Sequence, residues 1–311
     1  MFSDLVVGYL FLGGTGAGAC LVLSLLGLFV PRERAPGTNG AFDVVAASYR
    51  ALFVPGYMMS FALLCLGILC LLADAGGVDR ALLLFIRPTL SFLTVGAWAL
   101  GVCLLLSMTL ALMWQSCRMR KMGTMRAVQG CAALAALITA TYTGLLLYSL
   151  PAVPLWASWW LPLLFVLSAV SCGFAGVLGV AQFAGASHCF ITTLRRLAAA
   201  DAVVVVLEII VLLVMTLGAV VAPGGALTAT DSAASESVVM LLNGEQAWLF
   251  WSGFVLLGLV VPLVLDVLLA RSCRSLPGVA VVAAASVLIG GFIMRFCIVQ
   301  AGVHPLLAFG G

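Results

Sequence analysis

Four ionisable side chains stand inside stretches of sequence that are otherwise apolar: Asp201 and Glu208 within 198–221, Asp266 within 247–270, and Arg295 within 277–301. A charge in such a setting is costly and marks a functional site by default. Glu208 is the deepest, with Val203 to Val206 before it and Ile209 to Val214 after it. Two roles fit it: proton handling, or a structural pair with a hydroxyl or arginine on a neighbouring helix. Asp201, one to two turns earlier, belongs with Glu208 as a second proton-transfer candidate. It also lies close enough to the end of its run, like Asp266, to be solvated or paired with Arg195, Arg196 or Arg271. Arg295 follows Gly290 and Gly291. Its guanidinium has three uses there: reaching outward to water, ion-pairing inside the protein, or holding the headgroup of a polar-ended lipid or quinone.

Two tyrosines, Tyr9 and Tyr142, and Gln246 fall at the same depth as Arg295. A tyrosine near a membrane surface is ordinarily a belt residue. Four polar groups at one depth also suit a ligand-binding site. Beside Tyr9 runs Gly13-Gly14-Thr15-Gly16-Ala17-Gly18. Gly14-x-Gly16-x-x-Ala19 fits a loose dinucleotide fingerprint, but that motif needs a strand before it and a helix after it. Here it sits in an apolar run from Leu5 to Val30. Gly14 and Gly18 therefore read as a smooth helix face for another helix, or for a flat ligand.

Other chemistries are disfavoured. The two histidines, His188 and His304, both fall in loops, and a membrane haem needs axial ligands on facing helices. The ten cysteines are dispersed without a CxxC pair. They read as small buried hydrophobes, so we expect no metal centre in this chain. A net charge of +3 is too small to suggest nucleic acid as a partner. Met1 to Asp4 carries no basic segment of the kind that opens a signal peptide.

The elements that must position these residues follow from composition. With 64% hydrophobic and 8% charged residues, the chain reads as an all-α, polytopic membrane protein. Eight runs are long enough to span a bilayer: 5–30, 52–73, 88–114, 127–150, 160–184, 198–221, 247–270 and 277–301. An even number puts both termini on one side. With the termini outside, the inner loops hold Arg32, Arg34, Arg50, Arg118, Arg120, Lys121, Arg126, Arg195, Arg196, Arg271 and Arg274, and the outer loops only Arg80 and Arg87. The positive-inside rule favours that orientation. The outer loop 222–246 carries Asp231, Glu236 and Glu245 and no basic residue. Trp156, Trp159 and Trp160 form an interfacial cluster in the fourth connection. Small residues recur at similar depth in the first and fifth runs. That suits two parallel four-helix bundles, 1–150 and 151–311, although such faces are also ordinary packing surfaces. No loop is large enough for a catalytic domain.

Several segments resemble one family in order along the chain. They are Tyr9-Leu-Phe-Leu-Gly-Gly-Thr-Gly-Ala-Gly18, Tyr142-Thr-Gly-Leu-Leu-Leu, Pro154-x-Trp156, and Leu161-Pro-Leu-Leu-Phe-Val-Leu-Ser168. Asp201 with Glu208, Phe250-Trp251 through Gly258-Leu-Val-Val-Pro262, and Gly290-Gly-Phe-Ile-Met-Arg295 continue it. The pattern is similar to the NrfD-like polysulfide reductase membrane subunits. The resemblance implies a haem-free anchor in the cytoplasmic membrane that binds menaquinone or ubiquinone near its outer surface. It implies a ferredoxin-like partner with four iron–sulfur clusters on that face, and a catalytic partner carrying molybdopterin or several haems. Tyr9 and Tyr142 stand at the quinone-binding positions, with Tyr9 where some relatives have histidine. On that reading Gly14 and Gly18 form a wall for the ring, and Arg295 or Gln246 polarises the site. Quinol protons leave to the outside or, in the reverse, quinone-reducing direction, travel inward through Glu208, with Asp201 as the second proton-transfer residue. The expected activity is quinol oxidation coupled to the iron–sulfur partner. Two other readings of the same residues are a secondary transporter, suited by intramembrane Glu208 and glycine-rich helices, and an inert structural anchor.

Overall fold

The computed structural model describes residues 4–30, 33–34, 43–44, 47–74, 92–116, 122–149, 156, 158–184, 191–220, 238–239, 241–244, 246–272 and 276–302. Eight helices among them are long and apolar enough to cross a membrane. They are α1 (Asp4–Leu28), α2 (Ala47–Asp74), α3 (Phe92–Gln115), α4 (Met122–Tyr148), α5 (Trp160–Phe183), α6 (Ile191–Val220), α7 (Leu249–Arg271) and α8 (Pro277–Gly302). Two short strands, β1 (Glu33–Arg34) and β2 (Asp43–Val44), pair antiparallel between α1 and α2. Glu245, His188, His304 and most of the acidic 222–246 loop lie outside the described residues.

Each helix is apolar almost all round, so packing and not amphipathicity decides its place. Outward faces keep bare leucines and valines, such as Leu69, Leu105, Leu217 and Val282, as a lipid-facing surface requires. In α1, 78% of the span is buried, against 28% in α2, which makes α1 a central helix. It packs against α2, α4 and α5. Neighbour contacts run α1–α2–α3–α4 and back to α1, and again α5–α6–α7–α8 and back to α5. The two rings meet where α5 lies against α1 and α4.

That seam depends on missing side chains. A methyl group at Gly18 would meet the carbonyl carbon of Ala169 at 2.6 Å, and one at Gly173 would meet the Ala19 nitrogen at 2.7 Å. The backbones of α1 and α5 therefore touch, a small-residue crossing that maximises dispersion contact where no hydrophobic driving force between helices exists. In the second ring Gly258 of α7 lies on Gly290 of α8 in the same way, its added methyl 2.6 Å from the Gly290 Cα.

The N-terminal half of α7, Leu249–Val260, is a π-helix, and the α-helix resumes at Val261–Arg271. Pro262 supplies a reason. It has no N–H to return, and its ring crowds the carbonyl of the preceding turn. The turn widens instead, over Gly253 and Gly258, and the Val261 N–H reaches Leu256 O, five residues back.

At one end of the molecule arginines tie neighbouring helices together. Arg50 of α2 donates to Gln115 O at the end of α3 (2.8 Å), Arg126 of α4 to Val30 O just past α1 (3.5 Å), and Arg195 of α6 to Ala270 O at the end of α7 (3.0 Å). Helix C-termini leave unpaired carbonyls and carry partial negative charge, so cations belong there. Hydroxyls in the spans mostly bond within their own helix, as Thr139 does to Ala135 O, Thr143 to Ala140 O and Ser286 to Ala283 O. Such groups are satisfied locally and leave few polar atoms free to meet across helices.

Candidate functional site

Three polar centres interrupt the apolar interior. The first joins α1 to α4. The Tyr9 and Tyr142 phenols meet, and both residues are buried. Gly13, one turn after Tyr9, leaves room beside its ring, and the Tyr142 ring lies directly on the backbone of α3 at Gly96. A phenol pair has two O–H donors and only one mutual hydrogen bond to make. One O–H is left to donate to a third atom.

The second centre is Arg295, fully buried on α8. Its Nε donates to Leu10 O (3.2 Å), and its Nη1 to Gly291 O (2.7 Å) and Ser168 Oγ (3.2 Å). The guanidinium thus ties α8 to α1 and α5. Phe11 and Phe165 lie 5.8 and 5.5 Å from it, within cation–π range. Its Nη2 has no hydrogen-bond partner and lies 3.0 Å from where a Gly14 side chain would begin. The Ser168 hydroxyl also faces the Glu208 carboxylate of α6, and the Arg295 charge acts on Glu208 without a direct ion pair among the described residues. Of the two roles open to Glu208, a hydroxyl neighbour is therefore present. Cys172, one turn after Ser168, sits beside Arg295 and Gly291.

The third centre lies two turns before Glu208 on α6, toward the end that carries Arg195. Asp201 faces Asp266 of α7, and the Ser171 hydroxyl of α5 faces Asp201. This differs from the expectation that the two aspartates are solvated or paired with Arg195, Arg196 or Arg271: both are buried, and no arginine pairs with either among the described residues. Arg195 turns instead to the Ala270 carbonyl, because the exposed helix end offers it an acceptor that needs no burial.

The sequence puts Tyr9, Tyr142, Arg295 and Gln246 at one depth, a set that suits a ligand-binding site. The structure brings the tyrosines together on one side of α1, and Arg295 with Gly14 on the side facing α5 and α8. Gln246 is half-buried at the start of α7, where its carbonyl accepts the Phe250 N–H at 3.0 Å; no contact with the tyrosines or Arg295 is found among the described residues. Gly18 is a packing contact, its open face taken by the α5 backbone at Ala169 and Gly173, so no ring can lie there. Ser168, Ser171 and Gly96 were not singled out as site residues. Ser168 and Ser171 are three residues apart, which places both on one face of α5, and that spacing was a usable signal. A cavity of ≈ 350 Å³ opens at the other end of α1, lined by Phe29, Tyr49, Phe53, Arg196 and their neighbours, and touches none of these centres.

A family model described as polysulphide reductase, NrfD, matches residues 1–306. The chain belongs to the NrfD family. This NrfD protein is thus a multi-pass membrane subunit, of a family whose members serve as membrane subunits of oxidoreductase complexes. No curated protein matches it. Among the described residues no group of histidine, cysteine and carboxylate side chains could hold a metal ion in this NrfD chain.

Proposed function

We propose that this NrfD subunit exchanges electrons between a membrane quinone, menaquinone or ubiquinone, and an iron–sulfur partner docked on its outer face. The observation that carries the reading is the buried phenol pair of Tyr9 and Tyr142, which leaves one O–H to donate to a ligand oxygen. A bound quinol supplies two electrons and two protons. Tyr142 and Tyr9 hold and orient the ring oxygen and pass its proton between them. Arg295 acts as a positioning residue: by gripping the Leu10 carbonyl it fixes the turn of α1 that carries Tyr9. Gly14 leaves room for the guanidinium, and Gly18 lets α1 and α5 close so that the grip is possible. Glu208, held at the Ser168 hydroxyl, and Asp201 carry protons on the inner side. Gln246 stands at the outer end of α7, near the surface offered to the partner.

The partner best suited is a ferredoxin-like subunit with four clusters, joined to a catalytic subunit carrying molybdopterin or several haems. We read both termini as outside, in the cytoplasmic membrane, and residues 1–150 and 151–311 as the two bundles. The orientation is supported by Arg50, Arg126 and Arg195, which gather at the opposite end from Tyr9 and Tyr142.

The test uses the purified complex. Tyr142→Phe and Tyr9→Phe should each lower quinol-driven reduction of the iron–sulfur partner at least tenfold, while the chain still co-purifies with that partner and shows its absorbance. Wild-type turnover in both variants would overturn the site. A chain that purifies alone, without iron–sulfur protein, would overturn the function and favour a transporter.

A further inference from the structure

The facing Asp201 and Asp266 call for an occupant. Each side chain is only 1% exposed. Asp201 Oδ1 and both Asp266 carboxylate oxygens have no hydrogen-bond donor. The groups around them are the Ser171 hydroxyl and Cys172 thiol of α5 and the Glu208 carboxylate of the same α6. No basic side chain pairs with either aspartate among the described residues. Two carboxylates facing each other, out of water, without a counter-charge and with only the Ser171 hydroxyl to donate to Asp201, persist only at a cost of several kcal/mol. A proton placed between them removes one charge and converts the repulsion into a short O–H···O⁻ hydrogen bond, the strongest kind available to carboxyl groups.

We propose that Asp201 and Asp266 hold one exchangeable proton between them and form a proton store on the inner side of Glu208. The pair lies seven residues from Glu208 on α6, an almost whole number of turns, so both point the same way, roughly 10 Å apart along the axis. Ser168 and Ser171 line the same interval on α5. Transfer over that span runs through hydroxyls and water, with the pair reloading from the arginine-rich end. The proton leaves as a proton, and no bond other than O–H is made or broken. The sharing of the proton stands without the quinone reading; the store's place on a route to Glu208 rests on it.

The two parts are tested separately. Infrared difference spectra of the resting complex in nanodiscs, without quinol, are recorded for wild type against Asp201→Asn, Asp266→Asn and the double variant. The wild type should show a carboxylic acid C=O band that shifts in deuterium oxide, moves in each single variant and is lost in the double variant. A band that stays in place in either single variant, survives in the double variant, or is missing from the wild type overturns the shared proton. In proteoliposomes either single variant should slow quinone-linked proton uptake from the arginine-rich face at least tenfold, with quinone binding retained. Unchanged uptake overturns the route and leaves the infrared result standing. Failure of the Tyr142→Phe test overturns the quinone site and touches neither the band nor its assignment.

Discussion

Replacing Gly18 by alanine puts one methyl group into the seam between α1 and α5. The new carbon would stand 2.6 Å from the Ala169 carbonyl carbon and closer still to its oxygen, where ordinary contact begins at 3.4 Å. The obstacle is backbone on a helix that is packed on its other sides against α4, α6 and α8. No side chain can swing away. The helices must separate by about 1 Å, and overpacking of that kind costs about 1–3 kcal/mol. Alanine returns about 0.5–1 kcal/mol because it is the better helix former. Because the obstacle is backbone, the upper part of the overpacking range applies, about 2–3 kcal/mol, and the net is a loss of about 1–2.5 kcal/mol, with a longer reach from Arg295 to Leu10 O. Gly101 and Gly130 are the internal control, since an added methyl there meets nothing within 4 Å. Gly101→Ala and Gly130→Ala should be neutral or slightly stabilising. The assay is the thermal unfolding midpoint of the purified complex in a single detergent. Gly18→Ala melting at or above wild type, or Gly101→Ala losing as much as Gly18→Ala, would refute the reasoning.

Arg295→Lys should cut quinol turnover more than tenfold and lower the melting temperature, because one ammonium cannot span Leu10, Ser168 and Gly291 together; kcat should fall more than KM rises if the role is positioning. Gly96→Ala should displace the Tyr142 ring from α3 and reproduce most of the Tyr142→Phe loss, measured as quinol-driven partner reduction. Asp266→Asn should move the unfolding midpoint by the equivalent of no more than about 1 kcal/mol, since the carboxamide N–H donates to Asp201 in place of the shared O–H. Trp156→Phe removes the indole donor to Ile298 O (3.1 Å) and should cost about 1 kcal/mol of stability, read in the same melting experiment.

The helices were legible because hydropathy alone defines a span. The runs read as 160–184 and 277–301 coincide with Trp160–Phe183 and Pro277–Ala301 within one or two residues. Starts drift most where a polar or glycine-bearing turn opens the helix, as at Ile191, seven residues before the apolar run at 198. Pairings were far less legible. Asp201 and Asp266 each read as solvated or as a partner for a nearby arginine, with Asp201 also a proton-transfer candidate, because position along the chain indicates depth and not direction. A helix that is apolar on every side carries no stripe to show which neighbour it faces. The glycines came through as a packing surface, but not which of them clears space for Arg295 and which touches backbone. The π-helical half of α7 was invisible, since its apolar residues fit either register and only Pro262 hinted at a disturbance.

Arg295 reaches back 285 residues to take the Leu10 carbonyl. The first helix is in the bilayer long before its clasp exists. At about 5–20 residues per second, synthesis leaves α1 waiting roughly 15–60 s for the guanidinium that closes over Gly14. During that interval the half-made protein carries an open slot in its central helix, with a backbone acceptor facing lipid or the insertion machinery. The joint of α1 therefore closes only after α8 has been made, and a ribosome that stops short of α8 releases a product whose central joint has never been locked.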